Sequence, residues 1–364
     1  MQRGEPALLE KSARAQAALR CGADLVLELP LPYACATAER FAFGAVASLD
    51  ALGAVDALCF GSETGDLSLL EAAARALESQ EFSGYAAPFL KKGMTFAAAR
   101  QSAVEKLAGP APAAVLSRPN DLLAVEYLRQ LCRLHSGMRP EAILRTGAGH
   151  DSPFPAEEGE NLASASYIRG LLHTGCWDRA AGFVPEESLA VLRDAFAKGL
   201  YARPERLEPL LLYRLRSMTA EEYTRLPDLS EGLENRILSA ARQGTGLEDI
   251  LSRIKTKRYP LARLRRILLA ALLQIPADMA TEPPPYLRVL AMNKRGEEIL
   301  SRAGKRCRVP VSGSLARLEK SSPQAARYAA LEARSTDIYR LLTETPAPCG
   351  TDYTFSLVKE LQEE

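Results

Sequence analysis

The chain has 364 residues, 47% of them hydrophobic and 25% charged, a composition typical of a globular protein with two or three domain-sized cores and not of a disordered tail. The net charge is +1, so a nucleic-acid partner would need a local basic patch and not the field of the whole molecule. The seven cysteines form no Cys-x-x-Cys pair, which argues against a disulfide framework and a structural zinc site. Neither an apolar run of about 18 residues nor a signal sequence is present, so we expect a cytoplasmic protein without membrane spans.

The first half of the chain alternates short apolar runs with helical patterns. Three runs, residues 24–29, 55–60 and 142–144, predict buried parallel strands, since each ends in Gly, Pro or polar residues. Apolar residues at helical spacing predict helices near residues 9–19, 37–52, 67–77 and 121–134. We expect Asn120 to cap the last of these helices. The alternation predicts a doubly wound, Rossmann-like parallel sheet.

The second half of the chain has a different character. No further strand pattern is convincing after about residue 207, whereas helix starts are frequent. Thr219 and Glu222 form a capping box, Pro260 can begin a helix that runs to about residue 273, and three prolines from Pro283 predict a turn. We therefore expect a nucleotide-binding domain at residues 1–205 and a mostly α-helical domain at residues 206–364, with the boundary within residues 202–208.

Three polar residues follow elements of the predicted sheet. Gly61 ends a strand, where the lack of a Cβ lets a nucleotide approach the backbone, although an ordinary tight turn would also explain it. Asn120 begins a helix whose N-terminus suits an anion or an adenine edge, although a helix cap needs no ligand. Arg145 ends a strand, and its fork of donors suits phosphate oxygens; a salt bridge to a neighbouring carboxylate would also explain it, but we favour the phosphate contact.

Further candidates for phosphate or acetate binding have plain alternatives. Ser164, Ser166 and Arg169 place hydroxyls and a guanidinium at a helix start, where helix capping is the competing use. Lys11 and Arg14 lie one turn apart on a helix and are also explained as exposed charges. The His150-Asp151 pair has no further spaced ligands, so we expect neither a metal site nor acid–base chemistry there.

Residues 253–266 contain seven basic residues and no acidic one. A solvated helix face is the usual explanation of such a run. However, an aromatic ring among phosphate-binding cations is common in RNA-binding proteins. We therefore expect an RNA surface, with the following candidate contacts: Lys255, Lys257, Arg258, Tyr259, Arg263 and Arg266.

In their order along the chain, several of these motifs resemble the bacterial tRNA(Met) cytidine acetate ligase family of the nucleotidyltransferase-like superfamily. The stretches that carry the resemblance are residues 2–6 (QRGEP), 24–30 (DLVLELP), 60–63 (FGSE), 119–120 (PN), 164–169 (SASYIR), 230–236 (SEGLENR) and 254–259 (IKTKRY).

The resemblance implies a two-step reaction. ATP and acetate give acetyl-adenylate and pyrophosphate, and the acetyl group then passes to the wobble cytidine of elongator tRNA(Met). It also implies that Gly61, Asn120 and Arg145 contact ATP, with Mg²⁺ accompanying the nucleotide. In residues 164–169 the alanine at 165 departs from the serine-rich signature of the superfamily.

The sequence departs from the family at one important point. The family places ATP against a His-x-Gly-His motif, and none of the three histidines here lies in such a pattern. The catalytic residues are therefore unassigned, and we expect weaker stabilisation of the departing pyrophosphate. We expect the missing strands and helix to be encoded upstream of Met1, which the upstream reading frame would test. Without them, the predicted strands at residues 24–29 and 55–60 would be separated, since two strands of the usual order would lie between them.

Two other functions remain open on the sequence alone. One is a small-molecule nucleotidyltransferase, although a small substrate would not need the long helical half with its basic run. The other is a tRNA-binding protein without catalytic activity, which the absent histidine motif favours. Acetate-dependent exchange between ATP and pyrophosphate distinguishes these functions.

Overall fold

A computed structural model describes residues 4–146, 162–230 and 232–359. Six strands are found in this part of the chain: β1 (Leu25–Glu28), β2 (Ala57–Ser62), β3 (Arg139–Leu144), β4 (Leu287–Met292), β5 (Val311–Ser312) and β6 (Val358–Lys359). They form two sheets. In one, β2 and β3 pair in parallel. In the other, β1 pairs antiparallel with β4, and β5 and β6 each pair with β4 in parallel.

The strand pairing differs from the expected single sheet. The first two predicted runs are separated, but not by a gap within one sheet: β1 and β2 belong to different sheets, and β1 pairs with β4. The expectation that all three runs are parallel and buried is wrong: β1 runs antiparallel to its neighbour, and β3 is largely exposed, with Ile143 60% accessible. The expectation of no further strand was also wrong, because β4 lies in the second half and is almost fully buried.

The helices account for most of the remaining described residues. In the first half they are α1 (Lys11–Arg20), α2 (Leu31–Ala34), α3 (Ala38–Leu52), α4 (Leu67–Glu78), α5 (Phe82–Lys91), α6 (Phe96–Ala108), α7 (Pro110–Val115), α8 (Pro119–Arg133), α9 (Ala165–His173), α10 (Trp177–Ala181) and α11 (Glu186–Ala197). In the second half they are α12 (Leu207–Ser217), α13 (Ala220–Thr224), α14 (Leu233–Gln243), α15 (Leu247–Ile254), α16 (Leu261–Leu273), α17 (Lys294–Ala303), α18 (Leu315–Glu319) and α19 (Pro323–Leu341). Within the described ranges, none of these helices has the length and apolar character needed to cross a membrane.

Local signals in the sequence explain where several helices begin and end. The carboxylate of Asp66 accepts hydrogen bonds from the backbone of Ser68 and Leu69 and so caps α4. Gly53 ends α3 with a φ of 69°, a left-handed conformation that favours glycine. The capping box of Thr219 and Glu222 begins α13 as predicted. The capping box was predicted, and the observed bounds of α3 and α4 agree with the helices predicted at residues 37–52 and 67–77.

Two large apolar clusters hold the fold together. The first joins β2 to α3, α4 and α8 through residues such as Val46, Phe60 and Leu70. The second fills the helical second half and also contains Leu31 and Tyr33, from the segment that follows β1. The mixed α/β fold class is confirmed. The antiparallel pairing of β1 with β4 and the second cluster tie the start of the chain to its last third.

A buried charge cluster reinforces this connection. The ammonium of Lys11 on α1 lies 2.9 Å from the Asp352 carboxylate and also contacts Glu28 and Glu332. The fully buried Arg288 of β4 lies 2.7 Å from Asp352 and 3.1 Å from Glu28. Burial lowers the pKa of Lys11, but the charges of the surrounding carboxylates outweigh burial and raise it. Two cations therefore face three carboxylates in a poorly solvated space.

The surplus carboxylate in this cluster makes the stability of the protein depend on pH. Burial and the negative charge of Glu28 raise the pKa of Glu332, against the opposing effect of Lys11. A raised carboxyl pKa removes stability as pH rises above its unfolded-state value. We therefore expect Glu332→Gln to match the wild type near pH 5 and to exceed its unfolding free energy by about 1–3 kcal/mol near pH 8. Urea unfolding at both pH values measures this, and an advantage that shrinks as pH rises would contradict it.

Candidate active site

The carboxyl ends of β2 and β3 bring Gly61 and Arg145 together. The strands are in register, with Gly61 beside Ile143, and the Arg145 amide donates a hydrogen bond of 2.9 Å to the Ser62 carbonyl. The Arg145 side chain then passes over Gly61, since a Cβ added there would lie 3.3 Å from the arginine Cγ. Gly61 lies within β2, so the alternative of an ordinary tight turn was wrong, and its lack of a Cβ leaves the space along which the Arg145 side chain extends. Arg145 is exposed, and its side chain has no hydrogen-bond partner among the described residues.

Glu63 connects this strand end to the start of α8. Its carboxylate accepts hydrogen bonds from the backbone amides of Asn120 and Asp121, at 3.1 and 2.7 Å. It also accepts one from the Asn120 side-chain amide, at 2.7 Å. The expectation that Asn120 caps α8 was wrong, because Pro119 begins the helix and a carboxylate from the neighbouring loop satisfies its first free amides. The Asn120 side-chain oxygen remains available as an acceptor.

Asp121 fixes the loop that carries Glu63. It is fully buried and accepts hydrogen bonds from the Ser62 hydroxyl at 2.5 Å, from the Thr64 amide at 3.1 Å and from the Thr64 hydroxyl. Burial raises the pKa of its carboxyl, but the hydrogen bonds from Ser62 and Thr64 outweigh burial and hold its pKa below the usual range. Asp121 is thus ionised at neutral pH, and the loop after β2 is held rigidly.

Sequence reasoning missed Asp121, Ser62 and Thr64 as supports of this site. Asp121 looked like an ordinary acidic residue in the first turn of a helix. A signal was present, since Ser62, Glu63 and Thr64 follow a strand and form a run of side chains that bond to backbone amides. Only the fold shows that α8 is their partner.

A cavity of about 790 Å³ opens beside the start of α8. Asn120 and Leu123 line it on one side, the segment from Gly4 to Leu9 crosses it, and Arg169 of α9 reaches it from another side. Of the three predicted ATP contacts, Asn120 lines this cavity, whereas Gly61 and Arg145 do not. Arg145 contacts Gly61, and Glu63 joins their strand end to Asn120. Gly147, His150 and Asp151 lie outside the described residues.

The start of α9 shows the competing use of its two serines. The Ser164 hydroxyl accepts a hydrogen bond of 3.1 Å from the Tyr167 amide and lies 2.9 Å from the Ser166 hydroxyl. Helix capping therefore occupies Ser164. Arg169, one turn further on, is half-buried and has no hydrogen-bond or salt-bridge partner in the described ranges. It is the residue of this motif best placed to receive a ligand.

The two basic candidates on α1 differ in their surroundings. Lys11 is enclosed by the three carboxylates of the buried cluster, so we leave it out of the proposed phosphate-binding residues. Arg14 lines the 790 Å³ cavity, and its Nε donates a hydrogen bond of 3.1 Å to the Leu9 carbonyl. Arg14 therefore stays a candidate.

The basic residues of the run at residues 253–266 fall into two groups in the structure, those with a carboxylate partner among the described residues and those without one. Arg263 and Arg266 both contact Asp228, at 3.4 and 3.0 Å. Tyr259 is 8% accessible, and the guanidinium groups of Arg258 and Arg263 lie 5.9 and 5.7 Å from its ring. The cations that remain exposed and without a carboxylate partner in the described chain are Lys255, Lys257 and Arg258.

Comparisons with known proteins place this geometry in a family. The family model of the HIGH nucleotidyl transferases matches residues 1–352. A tRNA(Met) cytidine acetate ligase of Caldanaerobacter subterraneus subsp. tengcongensis is 36% identical over 99% of this chain and 90% of its own length. The protein of the same name from Syntrophotalea carbinolica is 37% identical over 98% of this chain and 81% of its own length.

A solved structure extends the similarity to the fold. Thermotoga maritima TmcAL, crystallised with alpha-thio ATP, gives a TM-score of 0.90 at 31% identity and covers 99% of this chain and 90% of that chain. The apo form of the same protein gives a TM-score of 0.92. The sequence identity, the shared fold and the matching family model together show that this chain belongs to the HIGH nucleotidyl transferases and, within them, to the tRNA(Met) cytidine acetate ligase family.

Proposed function

We propose that the edge formed by Gly61, Asn120 and Arg145 binds ATP. The observation that carries this proposal is that the Arg145 guanidinium, which has no partner among the described residues, extends over Gly61, and that Glu63 joins this strand end to Asn120, whose amide oxygen is free to accept. The guanidinium of Arg145 suits phosphate oxygens, and the amide oxygen of Asn120 can accept a hydrogen bond from the adenine amine. This chain shares its fold with the Thermotoga maritima relative that was crystallised with alpha-thio ATP, which supports binding of the nucleotide.

The bound nucleotide would then activate acetate. An acetate oxygen attacks the α-phosphorus, the bond to the bridging oxygen breaks, and pyrophosphate leaves with the electron pair, giving acetyl-adenylate. The cytidine amine of the tRNA next attacks the acetyl carbon, AMP leaves, and the amine loses a proton. Arg145 and Arg169 would stabilise the charge on the phosphates. Because its substrate would be tRNA, the protein would act in the cytoplasm.

Mg²⁺ is expected to accompany the triphosphate, since this ion is usually held by substrate phosphates and by one or two carboxylates. The described residues contain no group of three or more side chains placed to hold a metal ion. Glu63 and Asp121, the carboxylates of this edge, already accept hydrogen bonds from the loop and from α8. The donor set therefore does not fit a Mg²⁺ site built by the protein.

We further propose a boundary between two functional domains near residues 205 and 206. Residues 1–205 would carry the nucleotide and residues 206–364 would bind tRNA. The support is the position of the exposed cations Lys255, Lys257 and Arg258, which follow α15 in the helical second half. Arg263, Arg266 and Tyr259 would hold this surface in shape through Asp228 and the stacked guanidinium groups.

The number of free cations predicts the salt dependence of tRNA binding. Six phosphate contacts would weaken binding about a thousandfold between about 50 and 200 mM salt, whereas three would weaken it only about thirtyfold. We expect the smaller change, because Arg263 and Arg266 are already paired with Asp228. Filter binding across this salt range measures the slope. A thousandfold loss would show that the paired arginines also bind phosphate.

Acetate-dependent exchange between pyrophosphate and ATP tests the proposed function. The proposal predicts exchange that requires acetate and is lost in Arg145→Ala. A second candidate is a tRNA-binding protein without catalytic activity, favoured by the lack of a His-x-Gly-His pattern in these 364 residues. Tight tRNA binding without exchange would support this second function. Exchange without tRNA binding would instead support a small-molecule nucleotidyltransferase.

A further inference from the structure

A second cavity, of about 380 Å³, adjoins the larger one. The two share the segment that contains Gly4, Glu5 and Pro6, and they also share Arg169. The walls of the smaller cavity are mainly apolar, with Leu207 and Leu211 contributed by α12 and Leu251 by α15. Its volume falls at the lower end of the range for small-molecule sites. A single aromatic ring fits such a space, whereas a nucleoside triphosphate would need the larger cavity.

One face of α9 supplies polar groups to this cavity. Ser166, Arg169 and His173 lie three and four residues apart, so they share a helix face, and all three line the cavity. Burial, together with the charges of Arg203 and Arg169, lowers the pKa of His173 despite the opposing charge of Glu205. The imidazole is therefore neutral near pH 7 and can accept a hydrogen bond as well as donate one. Arg169 offers donors on the boundary between the two cavities.

Acidic and basic groups from other elements also line this cavity. Glu248, in the first turn of α15, lines the cavity and has no hydrogen-bond or salt-bridge partner within the described ranges. Arg265 of α16 lines it as well and lies 2.7 Å from the Glu5 carboxylate. The edge of cytosine presents an amine donor beside ring and carbonyl acceptors. Carboxylates accept from that amine, and guanidinium groups donate to the acceptors.

Apolar walls, a mixed polar rim and a shared boundary with the 790 Å³ cavity, which Asn120 lines, point to one class of ligand. We infer that the 380 Å³ cavity holds a single unstacked pyrimidine of the RNA substrate, the acceptor cytosine, whose amine donates to a carboxylate of this cavity and whose acceptor atoms face the Arg169 guanidinium. Flipping a base out of its stack is the usual way for an enzyme to reach a base atom. The inference rests on the proposed function, since it names where the second substrate of that reaction lies.

Photo-crosslinking of the full chain tests this inference. The probe is an anticodon stem–loop RNA with 4-thiouridine in place of the acceptor cytidine. We expect crosslinks in the peptides of α9, α12 or α15. Leu247→Trp, which places a large ring at the half-buried wall of this cavity, should reduce the crosslink about tenfold, the effect of losing one stacked base. The converse control is Leu123→Trp, which places a large ring in the larger cavity. It should weaken binding of an ATP analogue and leave the crosslink unchanged.

A second pair of variants tests the polar contact. Glu248→Gln should weaken stem–loop binding, whereas Glu187→Gln, an exposed carboxylate on α11, should not. Crosslinks that map only outside the three helices, or that survive Leu247→Trp undiminished, would overturn the inference while ATP-analogue binding upheld the proposed nucleotide site. If the wild type bound neither the ATP analogue nor the stem–loop, the proposed function itself would fail, and this inference with it.

Discussion

Lys11→Met should destabilise the protein by about 3–5 kcal/mol, because it leaves buried carboxylates without their cation. Lys11 is the group that contacts Glu28, Glu332 and Asp352 together. Once it is removed, Arg288 alone would face three carboxylates. The variant should therefore unfold at a clearly lower urea concentration, and circular dichroism during urea titration measures the change.

The matched control for this substitution is Lys198→Met. Lys198 lies 2.8 Å from Asp194 on the surface of α11, where both side chains are 60% accessible. An exposed pair of this kind contributes at most about 0.5 kcal/mol. Equal losses of unfolding free energy in the two variants would show that the buried cluster around Lys11 does not stabilise the fold more than an exposed ion pair does. If the Lys11→Met protein instead stayed folded but lost affinity for the ATP analogue, Lys11 would be a phosphate-binding residue after all.

Arg145→Ala should weaken binding of a non-hydrolysable ATP analogue about 10- to 100-fold. A hydrogen bond to a charged group contributes about 1.5–3 kcal/mol, and each 1.4 kcal/mol corresponds to about a tenfold change in affinity. The exposed Arg145 side chain has no partner in the described chain that would make its loss destabilising. The midpoint of thermal unfolding should therefore stay unchanged, while isothermal titration calorimetry shows the loss of affinity.

Arg139→Ala is the control for this second substitution. Arg139 begins the same strand β3 and is also exposed, but it lies at the opposite, amino-terminal end. Its removal changes the net charge equally and should leave the affinity for the ATP analogue unchanged. Similar losses in the two variants would mean that general charge, and not the position of Arg145, attracts the nucleotide.

The helices could be predicted from the sequence more reliably than the sheet. Local signals such as the Thr219 capping box act within one turn, so spacing reveals them. Strand β4 escaped prediction because Arg288 interrupts a short apolar run that follows three prolines. Its burial makes sense only once Glu28 and Asp352, distant in sequence, are seen to surround that arginine.

The sequence predicted which residues belong to the candidate site, but it did not predict the contacts between them. Gly61 and Arg145 follow strands, and the carboxyl ends of neighbouring parallel strands meet at one edge. The role of Glu63 as the cap of α8 could not be predicted, because its partners lie 57 and 58 residues further along the chain. Likewise, the pairing of Arg263 and Arg266 with Asp228 depends on the packing of α16 and not on the local charge pattern.

A crystal structure of this chain with a non-hydrolysable ATP analogue would test the central claim most directly. The claim predicts the triphosphate against Arg145 and over Gly61, with the adenine within hydrogen-bonding distance of the Asn120 side-chain oxygen. Density for the nucleotide beside Lys11 and its three carboxylates, with the edge of β2 and β3 left empty, would contradict it.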